Sequence, residues 1–259
     1  MINRLTRLLF GQDRDTARPR RVDLGIMPSA LYAIGDVHGC LDQLGRLEKR
    51  IIEDAGGIEG DKLIIMLGDY IDRGPSSAGV LDHLLRPLPE GFRRLCLVGN
   101  HERMLLGHFA KPSLQSDWLA NGGEETLTSY GIAPDRYAAA STRLRGQMLT
   151  SHIPQAHLDF LAALPALITA PGYVFAHAGI RPGVPLERQA EEDLLWMRHD
   201  PTTDWSGGLT LVHGHTVVPE PLVLPGRISV DTGCFATGVL TALRLVEGEE
   251  PRFLSVRPG

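Results

Sequence analysis

The chain has 259 residues, 43% hydrophobic and 22% charged, which suffices for a substantial buried core in one large domain or two small ones. A formal charge of -5 gives no overall attraction to nucleic acid, and no apolar run approaches the roughly 20 residues that cross a bilayer. Three cysteines, Cys40, Cys96 and Cys234, lack CxxC spacing, which argues against a disulfide framework or a structural zinc cage and makes a reducing cytoplasm the expected location.

Residues 1–29 read as a flexible basic leader, with Arg4, Arg7, Arg14, Arg18, Arg20 and Arg21 in its first 21 positions. Met1 to Phe10 lacks the long apolar core of a secretory signal, so neither export nor stable membrane insertion is expected. A catalytic domain over 30–259 follows. Short apolar runs at Leu31 to Ile34, Leu63 to Leu67 and Leu95 to Val98 have strand length, and each ends at a glycine followed by Asp or Asn. Leu41, Leu44, Leu47 and Ile51 repeat at helical spacing behind the first strand, and Ser76 to Leu85 has helical character behind the second. The pattern is strand, loop, helix, and parallel β-α-β units are its economical form. Parallel strands would put all three loops on one edge, where open α/β sheets bind ligands.

From about Met104 to Leu167 the strand signal gives way to Ala, Leu and Gln, with a turn at Asn121-Gly122-Gly123, which predicts a helical insertion over the site. Strand character returns at Tyr173 to Ala176, Thr210 to Val212, Arg227 to Val230 and Leu240 to Val246, predicting a second sheet. The expected architecture is α/β: two packed sheets with helices outside.

The loops carry the chemistry. Gly35-Asp36-Val37-His38-Gly39, Gly68-Asp69-Tyr70-Ile71-Asp72-Arg73-Gly74 and Gly99-Asn100-His101-Glu102 follow the first three strands, and His177 and His215 follow two of the later ones. Asp36, His38, Asp69, Asn100, His177 and His215 mix oxygen and imidazole donors without thiolate, which suits manganese, iron or zinc. Six ligands exceed what one tetrahedral ion needs, and a carboxylate such as Asp69 can bridge two ions. Any one Asp after a strand is more often a helix cap, so the weight rests on the motifs occurring together. His213 and His215 share a face of one strand, and spacing alone does not choose between them.

In this order GDxHG, GDxxDRG, GNHE, HAG and GHT resemble the phosphoprotein phosphatase superfamily of metallophosphoesterases, especially its bacterial serine/threonine-type members, over most of residues 31–245. The resemblance implies a calcineurin-like metallophosphoesterase fold and two divalent ions, manganese first among the candidates. It places Asp36, His38 and His215 on one ion, Asn100 and His177 on the other, and Asp69 between them. It makes His101 the acid that protonates the leaving group, oriented by Asp72, and Arg73 and Arg198 the phosphate-binding arginines. Metal coordination lowers the pKa of a bound water from about 16 towards about 7, and arginine offers two parallel donors to a phosphoryl group. The expected activity is a phosphoprotein phosphatase acting on phosphoserine or phosphothreonine, and on phosphotyrosine as a further substrate. Its expected partners are phosphorylated proteins or peptides. Symmetrical diadenosine tetraphosphatases resemble the same motif set, and Asp231-Thr232-Gly233-Cys234 with Leu240-Thr241-Ala242-Leu243 matches their C-terminal segment; this is the alternative. A calcineurin-like phosphodiesterase and a catalytically silent metal-binding module are the further readings.

Overall fold

Alternating apolar side chains on doubly buried strands build a two-sheet sandwich. The computed structural model describes residues 19–198 and 208–258. The leader up to residue 18, and His199, lie outside them. In chain order come β1 (Arg21–Asp23), β2 (Ala30–Ile34), α1 (Leu41–Asp54), β3 (Lys62–Met66), α2 (Ser77–Leu84), β4 (Phe92–Cys96) and α3 (Asn100–Ala110). A helical stretch follows, with α4 (Glu124–Ser129), α5 (Pro134–Ala139), α6 (Thr142–His152) and α7 (Gln155–Ala163). The remainder is β5 (Leu167–Ala170), β6 (Tyr173–Ala176), α8 (Glu191–Trp196), β7 (Thr210–His213), β8 (Leu222–Leu224), β9 (Arg227–Ser229), α9 (Cys234–Thr237), β10 (Leu240–Val246) and β11 (Arg252–Val256).

One sheet has the order β11-β10-β2-β3-β4 and the other β1-β5-β6-β7-β9-β8. Side-chain alternation splits each central strand between two apolar layers. Leu31, Ala33, Leu63 and Ile65 meet Phe175, Val212 and Ile228 of the opposite sheet inside the sandwich. Tyr32, Ile34, Ile64 and Met66 share the outer layer with Leu44, Leu47 and Ile51 of α1 and Val80 and Leu81 of α2. β2, β3 and β4 run parallel, so their carboxyl ends, and the three motif loops, open on one edge.

Two assignments differ from the sequence pattern. β4 begins at Phe92 rather than Leu95 because it is an edge strand, where Arg93 and Arg94 need not be buried in the sandwich. β10 does not join the second sheet but pairs antiparallel with β2, Ala242 opposite Ile34. Within the span read as leader, Val22 of β1 pairs parallel with Ile168 of β5.

A buried ion pair ties β4 to α1. Glu48 is buried and accepts from Arg94 Nη2 at 2.6 Å and from His83 Nε2 at 2.5 Å. Burial alone would raise its pKa, but His83 and Arg94 outweigh that and hold the carboxyl below its usual range. Breaking such a pair strands a buried charge, so Glu48→Ala is expected to cost about 3 kcal/mol in denaturant unfolding at neutral pH. A depressed carboxyl pKa gives stability that is present above the unfolded value and is lost as pH falls through the folded one. The gap between wild type and variant should therefore close in acid.

Candidate active site

Among the described residues, the non-glycine positions with left-handed backbone are His38 (φ 43°), Asp69 (φ 52°), Asp72 (φ 72°), Arg73 (φ 66°) and His215 (φ 62°). All five are sequence-predicted site residues. Each such conformation costs on the order of 1 kcal/mol or more, and the folded surroundings impose it where the loops must aim side chains inward. Glycines make room at the closest approaches: a Cβ on Gly99 or on Gly214 would collide with the Asp69 or the Asp36 carboxylate, respectively.

Asp69 stands at the centre. Its Oδ2 lies 3.5 Å from His38 Nε2 and 3.8 Å from His101 Nε2, and its Oδ1 lies 3.5 Å from His177 Nε2. It also accepts the His101 backbone N–H at 3.1 Å, at the amino end of α3. Two groups of donors converge on it within 4.8 Å: His38, Asp69 and His101, and Asp69, His177 and His215. His215 therefore stands beside His177 in one donor group, while the expectation grouped it with Asp36 and His38. The reason is topological: β6 and β7 are parallel neighbours, so the turns leaving them carry both imidazoles to one spot, 5.0 Å between ring centroids. Asp36 joins the cluster by accepting the His215 backbone N–H at 3.1 Å.

The donor set fits divalent ions. A metal-binding imidazole characteristically donates its far N–H to a carbonyl, which frees the other nitrogen as a lone pair. His38 Nδ1 lies 2.7 Å from the Ile71 carbonyl and His177 Nδ1 lies 2.9 Å from that of Leu67. With those protons placed, His177 Nε2 and Asn100 Oδ1 face each other at 2.8 Å, and His215 Nε2 is buried without a hydrogen-bond partner. Carboxylates crowd the same volume. Burial, then the Asp231 and Asp69 charges, push Asp36 well above the usual carboxylate range, and burial raises Asp69 as well. Burial pushes His177 and His215 down to about 3, the latter helped by His177 and Arg198. Neutral imidazoles and crowded carboxylates are what bound cations require and relieve.

His101 and Asp72 form the next layer. Nδ1 of His101 is 2.7 Å from Asp72 Oδ2, and both side chains are buried. The same carboxylate accepts Trp118 Nε1–H at 2.9 Å and Thr126 Oγ–H at 2.6 Å. Burial pushes Asp72 up, but these two donors pull against it, so it serves as the acceptor that fixes the His101 ring. Arg73 is held by its backbone N–H donating to Gly122, and its Nη1 donates to His38 Nε2 at 2.9 Å. That guanidinium must swing off Nε2 for an ion to be held there. Arg198 is exposed, close enough to act on His215.

Sequence reasoning gave no role to five participants. Trp118, Thr126 and Gly122 come from the helical stretch and hold Asp72 and Arg73. Glu102 is buried and accepts the backbone N–H groups of Asp69 (2.9 Å), Tyr70 (2.8 Å) and Gly99 (2.8 Å), locking two motif loops together. Burial and the Asp69 charge raise it to about 8 against those amides. Its signal was present: Glu at the third helical position after the cap is a capping-box pattern. Asp231 is a fifth, buried beside Asp36 and raised to about 6 by burial. Lone histidines outside the motifs are spoken for elsewhere, His108 by Ser116 and Tyr137, and His157 by Tyr130 and Asp82.

The sandwich and its loop-edge cluster define a metallophosphoesterase. Residues 30–237 match the calcineurin-like phosphoesterase family, and the chain belongs to it. A bis(5'-nucleosyl)-tetraphosphatase PrpE [asymmetrical] of Anoxybacillus flavithermus is 29% identical over 87% of this chain and 94% of its own length. That of a Geobacillus strain is 28% identical over 83% and 90%. The crystal structure of a candidate diadenosine tetraphosphatase superposes with a TM-score of 0.64 at 24% identity, covering 92% of this chain and 98% of that one. These names overturn the phosphoprotein phosphatase expectation. They also correct the cleavage mode of the alternative, which was symmetrical. The motifs supply donors suited to ions and a phosphoryl group, so they carry the bond type and leave the leaving group unspecified.

Proposed function

We propose that this chain is a metal-dependent dinucleoside polyphosphate hydrolase that cuts off-centre, so that a tetraphosphate yields a nucleoside monophosphate and a nucleoside triphosphate. The observation that carries the reading is the near full-length likeness to relatives named for that asymmetrical activity. Asp36, His38 and Asp69 would hold one divalent ion, and Asp69, Asn100, His177 and His215 the second. Bound there, the ions would lower the pKa of water towards neutrality and polarise the phosphoryl oxygens. Arg73 and Arg198 supply planar, permanently charged donors to the equatorial oxygens. His101 holds its Nδ1 proton on Asp72 and presents Nε2 to the departing oxygen as proton donor.

Manganese-loaded protein with diadenosine tetraphosphate should release AMP and ATP in equal amounts, resolved by ion-exchange chromatography. Two ADP per substrate would make the cleavage symmetrical, and no turnover would overturn the substrate class.

A further inference from the structure

Two aromatic side chains stand out in the open beside the cluster. Trp196 is 45% and Phe235 40% accessible. Phe235, at the start of α9, meets the His38 ring edge-on at 5.3 Å between centroids, and the Arg73 guanidinium carbon lies 4.8 Å from its own centroid. Trp196, at the end of α8, meets the His215 ring edge-on at 6.3 Å. It also lines a hollow of about 460 Å3 with Arg181, Glu192, Asp193 and Met197. His38 and His215 belong to the two donor groups that share Asp69. The exposed rings therefore flank the cluster, one beside each group.

Water-exposed aromatic surface is costly to keep at a site whose other walls are charged. Neither ring carries a group that can ligate a metal or hydrogen-bond a phosphate, and beyond their packing on Arg73 and His215 they are open to another part of the substrate. A flat π-face stacks any nucleobase, and stacking is largely indifferent to base identity. The hollow beside Trp196 carries the carboxylates of Glu192 and Asp193, Asp193 being paired with Arg181. That lining repels a further phosphate but accepts amine and hydroxyl donors of a base and ribose.

We propose that Phe235 and Trp196 are nucleobase-stacking positions on either side of the phosphate-binding cluster, so that specificity for nucleosides at both ends of a polyphosphate resides in these two rings. This rests on the dinucleotide reading above.

Binding separates the two claims. Metal-loaded protein is titrated calorimetrically with AMP and with ribose 5-phosphate, which share the sugar phosphate and differ by the base. Wild type should bind AMP roughly ten-fold or more tightly than ribose 5-phosphate. The double variant Trp196→Ala/Phe235→Ala should bring that ratio close to one, while Trp196→Phe/Phe235→Tyr, which keeps both rings, should preserve it. Equal binding of the two ligands by wild type overturns the proposal. So does an alanine pair that weakens both ligands equally, since the rings would then only brace Arg73 and His215. Turnover of diadenosine tetraphosphate is scored separately: an AMP preference without it would sink the dinucleotide reading and leave the stacking positions standing.

Discussion

Asp69→Asn is expected to strip the protein of bound metal and to lower turnover by roughly a thousand-fold or more. The carboxylate lies between three imidazole nitrogens at 3.5 to 3.8 Å, so removing its charge weakens both ion positions at once. Loss of several kcal/mol of charge stabilisation in the transition state corresponds to that rate. Unfolding is not the route. An amide oxygen can still accept the His101 N–H, and a neutral group there spares the burial cost of the charge and its repulsion of the Asp36 and Asp72 carboxylates. The melting temperature measured with chelator should match or exceed that of the wild type, while metal analysis of the purified variant should show depletion. Full metal occupancy with undiminished turnover would remove Asp69 from the bridge.

His101→Ala should act on chemistry rather than on metal content. Positioned proton transfer contributes roughly 100- to 10,000-fold, and its share grows with the basicity of the leaving oxygen. A nucleotide phosphate leaves as a far weaker base than an alkoxide. The loss with diadenosine tetraphosphate should therefore sit near the lower figure and be larger with an alkyl phosphomonoester. Asp72→Asn should reproduce much of the defect by supplying a donor where the His101 Nδ1–H needs an acceptor. Equal losses on both leaving groups would assign His101 to phosphate binding instead of proton donation.

Much of the site was legible because metal chemistry dictates residue types in fixed local register. Asp36 and His38 occupy one turn, Asp69, Asp72 and Arg73 another, and Asn100 and His101 the first turn of α3. Apolar runs also marked β2 and β3, which are buried on both faces, and helical spacing marked α1 and α2. β4 was harder, because an edge strand tolerates Arg93 and Arg94 in a ladder that the pattern reads as polar. β1, β8 and β11 are short or lie at or beside sheet edges and carry no clean apolar alternation.

By its sequence alone the chain indicated the metallophosphoesterase class, the candidate donors and the strand-loop-helix frame. These depend on local residue chemistry and on spacings of 33 residues from Asp36 to Asp69 and 31 from Asp69 to Asn100. Only the tertiary structure decided which candidate donors lie together. His177 and His215 are brought together by two parallel strands whose pairing no local signal encodes. The same holds for Trp118 and Thr126 on Asp72, Gly122 on Arg73 and Phe235 beside His38. Each is a contact between residues dozens to nearly two hundred positions apart, set by how the sheets stack and where the helical stretch folds back.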